Sequence, residues 1–145
     1  MTREEKELLI KDLSSRLPYG VKIRVEYPFL EEKDWGPENL YGLDLRKEVH
    51  AGTSVRIEEF KPYLRPMISM TEEEKRELEH ISEEYFGKAL DKQFQESLSS
   101  NINEGEVLEY IASSVIVDWL NAHHFDYRGL IEKGLAIDAT GLNIY

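Results

Sequence analysis

Polar and apolar positions alternate along this chain with periods that change from one stretch to the next. Over residues 3–16, Leu8, Leu9, Ile10, Leu13 and Leu17 recur at helical spacing behind Thr2 and Glu5, a capping-box pair. This predicts an N-terminal amphipathic helix, ended by Pro18 and the Pro-Tyr-Gly run. Val21, Ile23, Val25 and Tyr27 then alternate with Lys22, Arg24 and Glu26, the period of a half-buried strand that Pro28 stops. Residues 28–40 carry two prolines and a glycine and read as a long loop around Trp35. Tyr41, Leu43 and Leu45 suggest a second strand, and Val55 and Ile57 a third. Strands in close succession without intervening helices imply an antiparallel sheet. A partial SH3-like barrel would need further strands, from the 28–40 loop or from 61–67. Pro62 and Pro66 exclude a regular helix there and leave an extended connector.

The second half changes period. Thr71 and Glu74 form another capping box, opening a helix over 72–86 with Leu78, Ile81, Tyr85 and Phe86 on its apolar side. Residues 88–100 fit either a short helix or a loop. The most apolar stretch is 107–137. Leu108, Ile111, Ala112, Val115, Trp119 and Ala122 share one wide face, and Ser114, Asp118 and Asn121 form a narrow polar wedge. Such a helix, near 104–123, is expected to be central to the helical half. Asp126 can cap a short helix over 127–133 that Gly134 ends, with Leu135 and Ile137 returning to the core. The fold class is therefore α+β: an N-terminal helix, a small antiparallel sheet or partial SH3-like barrel, and a helical C-terminal half around one central helix. The expectation is one domain, 1–145, with helix and sheet in 1–68 and the helical part in 69–145.

Composition narrows the chemistry. The chain lacks cysteine, which removes disulfides, thiolate metal sites and thiol nucleophiles. The start, MTREEKELL, has no apolar signal segment, and no apolar run approaches the length of a membrane span, so a cytoplasmic protein without membrane partners is expected. The net charge of −11 is uneven: residues 69–106 hold eleven acidic against four basic side chains. Direct binding to nucleic acid is thereby disfavoured.

Three passages resemble a known family. FKPYLRPMISMTEEE (60–74), DWLNAHHFDYRGLIEKGLAI (118–137) and LPYGVKIRV (17–25) are similar to short proteins encoded in gut-bacterial genomes, often on prophages or other mobile elements. The family brings no activity, cofactor or catalytic residue with it. The resemblance implies a cytosolic, non-enzymatic accessory protein of mobile-element origin.

Candidate sites are few. His123, His124 and Asp126 form the most site-like cluster, yet adjacent histidines on a helix point about 100° apart, whereas ligand pairs need i, i+3 or i, i+4 spacing. The alternative is a terminating turn with Asp126 as its cap. Asp118, His123, Asp126 and Arg128 are the possible polar site, with a structural network as the plainer account. Lys22, Arg24, Arg46 and Arg56 share the outward sheet face, as phosphate ligands or as cross-strand ion pairs with Glu26, Asp44 and Glu58. Trp35 is either a partner anchor or a cover for the sheet edge. Glu73, Glu77 and Glu84 mark the acidic helix face as a second partner-binding candidate. No cofactor or metal is expected. The leading functional reading is a non-catalytic accessory or regulatory module acting through an unknown protein partner. The alternatives are an acidic DNA mimic that inhibits a nucleic-acid enzyme, and a small hydrolase using His123, Asp126 and Arg128.

Overall fold

The computed structural model describes residues 1–25, 35–40, 57–96 and 104–145, and of residues 35, 36, 38, 88–96 and 104–112 the backbone only. Helix α1 spans Arg3–Arg16 and opens as its sequence predicts. Thr2 Oγ1 accepts the Glu5 N–H at 3.1 Å, and Glu5 Oε2 accepts the Thr2 N–H at 2.6 Å. The two contacts satisfy backbone donors that a helix start leaves without partners. A 3₁₀ turn, Leu17–Tyr19, follows, closed by Gly20 at φ 67°, a left-handed conformation that glycine adopts without strain.

Strand β1 (Lys22–Val25) buries Ile23 and Val25 and leaves Lys22 and Arg24 half-exposed, the alternation expected of it. Its neighbours are β2 (Trp35–Asn39) and β3 (Phe60–Leu64), both antiparallel to it, with an irregularity in the β1–β2 ladder between Ile23 and Val25. These are the extra strands that the 28–40 loop and the 61–67 connector could supply. The expected second strand, 41–45, lies outside the described residues, as do Arg46, Val55 and Arg56. Ile57 instead sits buried in a 3₁₀ turn, Ile57–Glu59, just ahead of β3. Lys6 of α1 pairs with Glu58 of that turn.

Proline in β3 did not read as strand, but the register explains how it is accommodated. Pro62 lies opposite Ile23 of β1, while the strand on its other side, β4 (Ile137–Asp138), pairs only with Tyr63 and Leu64. The missing N–H therefore interrupts no rung to β4. β4 runs parallel to β3, so the sheet is mixed, in the order β2-β1-β3-β4. A parallel neighbour requires a crossover connection, and here α2 (Glu72–Glu96) and α3 (Glu104–Ala122) both lie in the sequence between β3 and β4.

The chain packs as two compact units, 1–69 with 121–145, and 70–120. In the first, Leu9 and Leu13 of α1 meet Val21 just ahead of β1, Ile23 and Val25 of β1, Phe60 and Leu64 of β3, and Leu130, Leu135 and Ala136 of the C-terminal segment. The segment after residue 123 thus returns to the core, as expected of Leu135. It does so without the helix expected over 127–133, where the chain makes turns. Gly129 at φ 68° breaks the helical run midway, and Asp126 accepts the amides of Leu130 and Ile131 at 2.9 and 2.8 Å, too far along the chain for an N-cap.

In the second unit, Thr71 and Glu74 form the predicted capping box and α2 continues through the ambiguous 88–96 stretch. Leu78, Ile81, Tyr85 and Phe86 are half-buried, whereas Glu73, Glu77 and Glu84 are exposed. On α3, Trp119 and Leu120 are buried and Val115 to Val117 half-buried. Ala122, expected on the apolar face, is exposed. Among the described residues no helix is long and apolar enough to cross a membrane.

Candidate functional site

The chemistry-bearing side chains of the first unit collect where the turn after α3 meets the end of β3. Arg65 holds this turn by its backbone: its N–H donates to His124 O and its carbonyl accepts the Asp126 N–H, both at 2.8 Å. The pair forms an isolated parallel bridge to Phe125, which is fully buried. The Arg65 guanidinium lies 4.3 Å above the Phe125 ring, a cation–π contact. His124 takes a left-handed φ of 59°, uncommon for a residue with a side chain.

Behind Phe125 is a buried ionic cluster. Asp12 and Arg16, one turn apart on α1, are both 0% exposed. Arg16 grips Asp12 with two bonds, Nε to Oδ2 at 2.8 Å and Nη2 to Oδ1 at 3.1 Å, and Nη2 also donates to Phe125 O at 2.7 Å. Arg128 Nη1 donates to Asp12 Oδ1 at 2.8 Å and to Ser15 Oγ at 3.0 Å. Both guanidinium groups lie near the Tyr127 ring, at 5.4 and 4.7 Å, and the Tyr127 hydroxyl donates to the buried Asn121 at 3.0 Å. The Asp12–Arg16 pair thus ties α1 to two points of the C-terminal segment, Arg128 through the carboxylate and Phe125 through the guanidinium.

On the other side, Tyr145 closes the structure. Its ring stacks on His124 with centroids 3.7 Å apart. In the β1–β3 register the pair after Ile23 and Pro62 is Lys22 and Tyr63. The Tyr145 hydroxyl bridges that pair, accepting the Lys22 N–H at 3.0 Å and donating to Tyr63 O at 2.8 Å. It acts as a substitute rung. Burial raises the phenol to about 12, with a smaller push from Tyr63 and against the lowering effect of the Lys22 amide and Arg16.

His124 is lowered to about 4, chiefly by burial and further by the positive field of Arg16, His123, Arg65 and Lys22. The folded protein therefore holds this imidazole neutral, while the unfolded chain takes up a proton near 6.5. Between those values the unfolded state binds more protons, so stability falls as pH drops from 6.5 towards 4 and this contribution is complete above 6.5. We expect a loss of up to about 3 kcal/mol across the window. His124→Asn, which tolerates the left-handed backbone, should flatten the pH dependence of urea midpoints there. An unchanged slope would show that His124 is not the group responsible.

An open pocket of about 290 Å³ lies between Arg65, Ser69 and the final segment, lined also by Thr140, Asn143, Ile144 and Tyr145. Asn143 is the second non-glycine residue at positive φ, 54°.

The expected polar site is only partly assembled. Arg128 joins the buried cluster, and Asp126, buried two residues before it, accepts a backbone amide on each carboxylate oxygen, so its role here is to hold the turn. His123 is half-buried, while Asp118 is exposed and belongs to the other compact unit. Among the described residues no three His, Asp or Glu side chains converge as metal ligands would. Trp35 lies opposite Val25 in β2, and its side chain falls outside the described residues. Asp12, Ser15, Arg16, Arg65 and Tyr145 are the residues that sequence reasoning missed. The chain matches no family model, no curated protein and no solved structure.

Proposed function

We propose that this is a non-catalytic accessory or regulatory protein, of the kind mobile elements carry, that acts through a protein partner. The observation that supports this reading is a set of exposed apolar side chains next in sequence to residues that line the pocket. Ile68 is 93% exposed, Met67 beside it 41%, and Leu142, between pocket residues Gly141 and Asn143, 50%. A nearly fully exposed isoleucine gains about 1.5–3 kcal/mol on burial against a partner, and exposed apolar surface is what a docking face offers.

The test uses Ile68→Asp and the double charge reversal Glu77→Lys, Glu84→Lys, with circular dichroism to confirm folding. The captured partner should be lost by Ile68→Asp, retained by the charge reversal, and retained at roughly 1 M salt, where exposed charges are screened. The opposite pattern, with salt-sensitive binding lost only by the charge reversal, would favour the acidic mimic. That reading has less support: Lys75 pairs with Glu72 at 2.6 Å and Arg76 donates to the Glu72 carbonyl, so cations interrupt the acidic face.

A further inference from the structure

We propose that residues 140–145 form a strap that opens by exchanging one rung of the β1–β3 ladder, uncovering apolar surface beside the Met67–Ser69 turn. The inference deepens the reading of this face as a docking surface by giving it a built-in cover, and rests on that reading only for what the opening serves. Among the described residues the strap is fastened at two places. At its near end the Ala139 N–H donates to Leu64 O at 2.8 Å. At its far end the Tyr145 hydroxyl sits between the Lys22 N–H and the Tyr63 carbonyl. Between the two, Thr140, Gly141, Leu142 and Asn143 are all exposed, and the amides of Thr140 and Leu142 bond only locally, to Asp138 and to Ala139.

The far fastening can let go without stranding a backbone group. Ile23 pairs with Pro62, so Lys22 and Tyr63 are the next pair along the ladder, and one hydroxyl oxygen holds them apart. When that oxygen withdraws, the Lys22 N–H can close directly on the Tyr63 carbonyl. Tyr63 is only 7% exposed, and a buried carbonyl left without a partner would carry a full desolvation cost. The exchange avoids that cost. Opening gives up the stacking of Tyr145 on His124, at 3.7 Å between centroids, and relieves Asn143, which the docked strap holds at a φ of 54°. Losses and gains on both sides make the strap a two-state element. Once open, it bares the His124 ring and frees its own apolar groups, the Tyr145 ring and the half-buried Ile144. Ile144 lines the pocket with Ser69, one residue on from the exposed Ile68.

The experiment follows the full chain by NMR. The His124 ring protons, shielded by the stacked Tyr145 ring, report docking of the strap, and exchange of the Lys22 amide reports the rung. Tyr145→Phe keeps the ring and removes the hydroxyl. The His124 signals should move towards unstacked positions and its titration midpoint should rise from about 4 towards 6.5. The Lys22 amide should stay protected, now by the direct rung. Gly141→Ala keeps the hydroxyl, and its added methyl meets nothing within 4 Å, so it acts only through the left-handed backbone at φ 74°. It should raise the open-to-docked ratio roughly ten-fold, and it tests the strap independently should Tyr145→Phe fail to fold. Both variants should bind more 8-anilinonaphthalene-1-sulfonate than the wild type, as uncovered apolar surface does. Unchanged His124 signals in either folded variant, free exchange of the Lys22 amide in Tyr145→Phe, or an opened strap without added dye binding would each overturn the proposal. The docking reading is judged on partner capture by Ile68→Asp and the strap on the His124 signals, so either can fail alone.

Discussion

Asp12→Ala is expected to destabilise this protein by about 3–5 kcal/mol, the usual cost of breaking a buried ion pair by removing one partner. The side chain is 0% exposed and accepts bonds from two arginines, of which Arg16 is itself 0% exposed. Without the carboxylate, Arg16 keeps its bond to Phe125 O and loses the group that neutralises its charge. Water cannot replace that group without opening the packing of α1 against the C-terminal segment. A buried pair is costly to break but need not contribute much compared with an apolar replacement, since both charges were desolvated on folding. Asp12→Ala combined with Arg16→Met should therefore recover a good part of the loss. Denaturant midpoints at pH 7 decide the matter. A single-variant loss below about 1 kcal/mol would be the behaviour of an exposed pair, and would mean that the cluster is hydrated.

The position of this pair was open to reading from the sequence. On a helical projection of α1, Leu8, Asp12, Arg16, Leu9 and Leu13 occupy a continuous arc of about 140°. Two opposite charges one turn apart inside an apolar arc are candidates for burial, whereas the same spacing on the outer face, as in Arg3 and Glu7, is a solvated pair. The helices and β1 were readable because their determinants are local: capping boxes, a period, a terminating proline. β2, β3 and β4 were not, because each exists through its neighbour. β3 contains a proline and β4 is two residues long; neither has a strand pattern of its own. The same holds for the pocket. Arg65 and Tyr145 are far apart in sequence, and nothing near either residue signals the other. The apolar pattern of 104–123 predicts the helix that forms, whereas the core cluster of the first unit, among the described residues, is built from α1, the sheet and the C-terminal segment. Hydrophobic density along the chain marks which segments must be covered, and leaves open which of them organises the rest.

Phe125→Ala is expected to have an effect of similar size, about 3–5 kcal/mol, for a different reason. The ring is 0% exposed, so truncation removes its burial and leaves a cavity that the surrounding elements cannot fully close. The residue also has duties that its apolar character does not reveal. Its ring carries the Arg65 guanidinium at 4.3 Å, and its carbonyl accepts from Arg16 at 2.7 Å. The backbone on either side of it is bonded to Arg65 through His124 O and Asp126 N. A cavity there lets this turn shift, which weakens the ionic cluster on one side and the wall of the pocket on the other. Phe125→Leu keeps most of the volume and should cost only about 1–2 kcal/mol. The two variants therefore separate loss of core volume from loss of the aromatic face on which Arg65 lies. If Phe125→Ala costs less than about 1 kcal/mol in denaturant curves, the turn from His123 to Asp126 does not join the C-terminal segment to the core, and the assignment of Phe125 as the link between cluster and pocket fails with it.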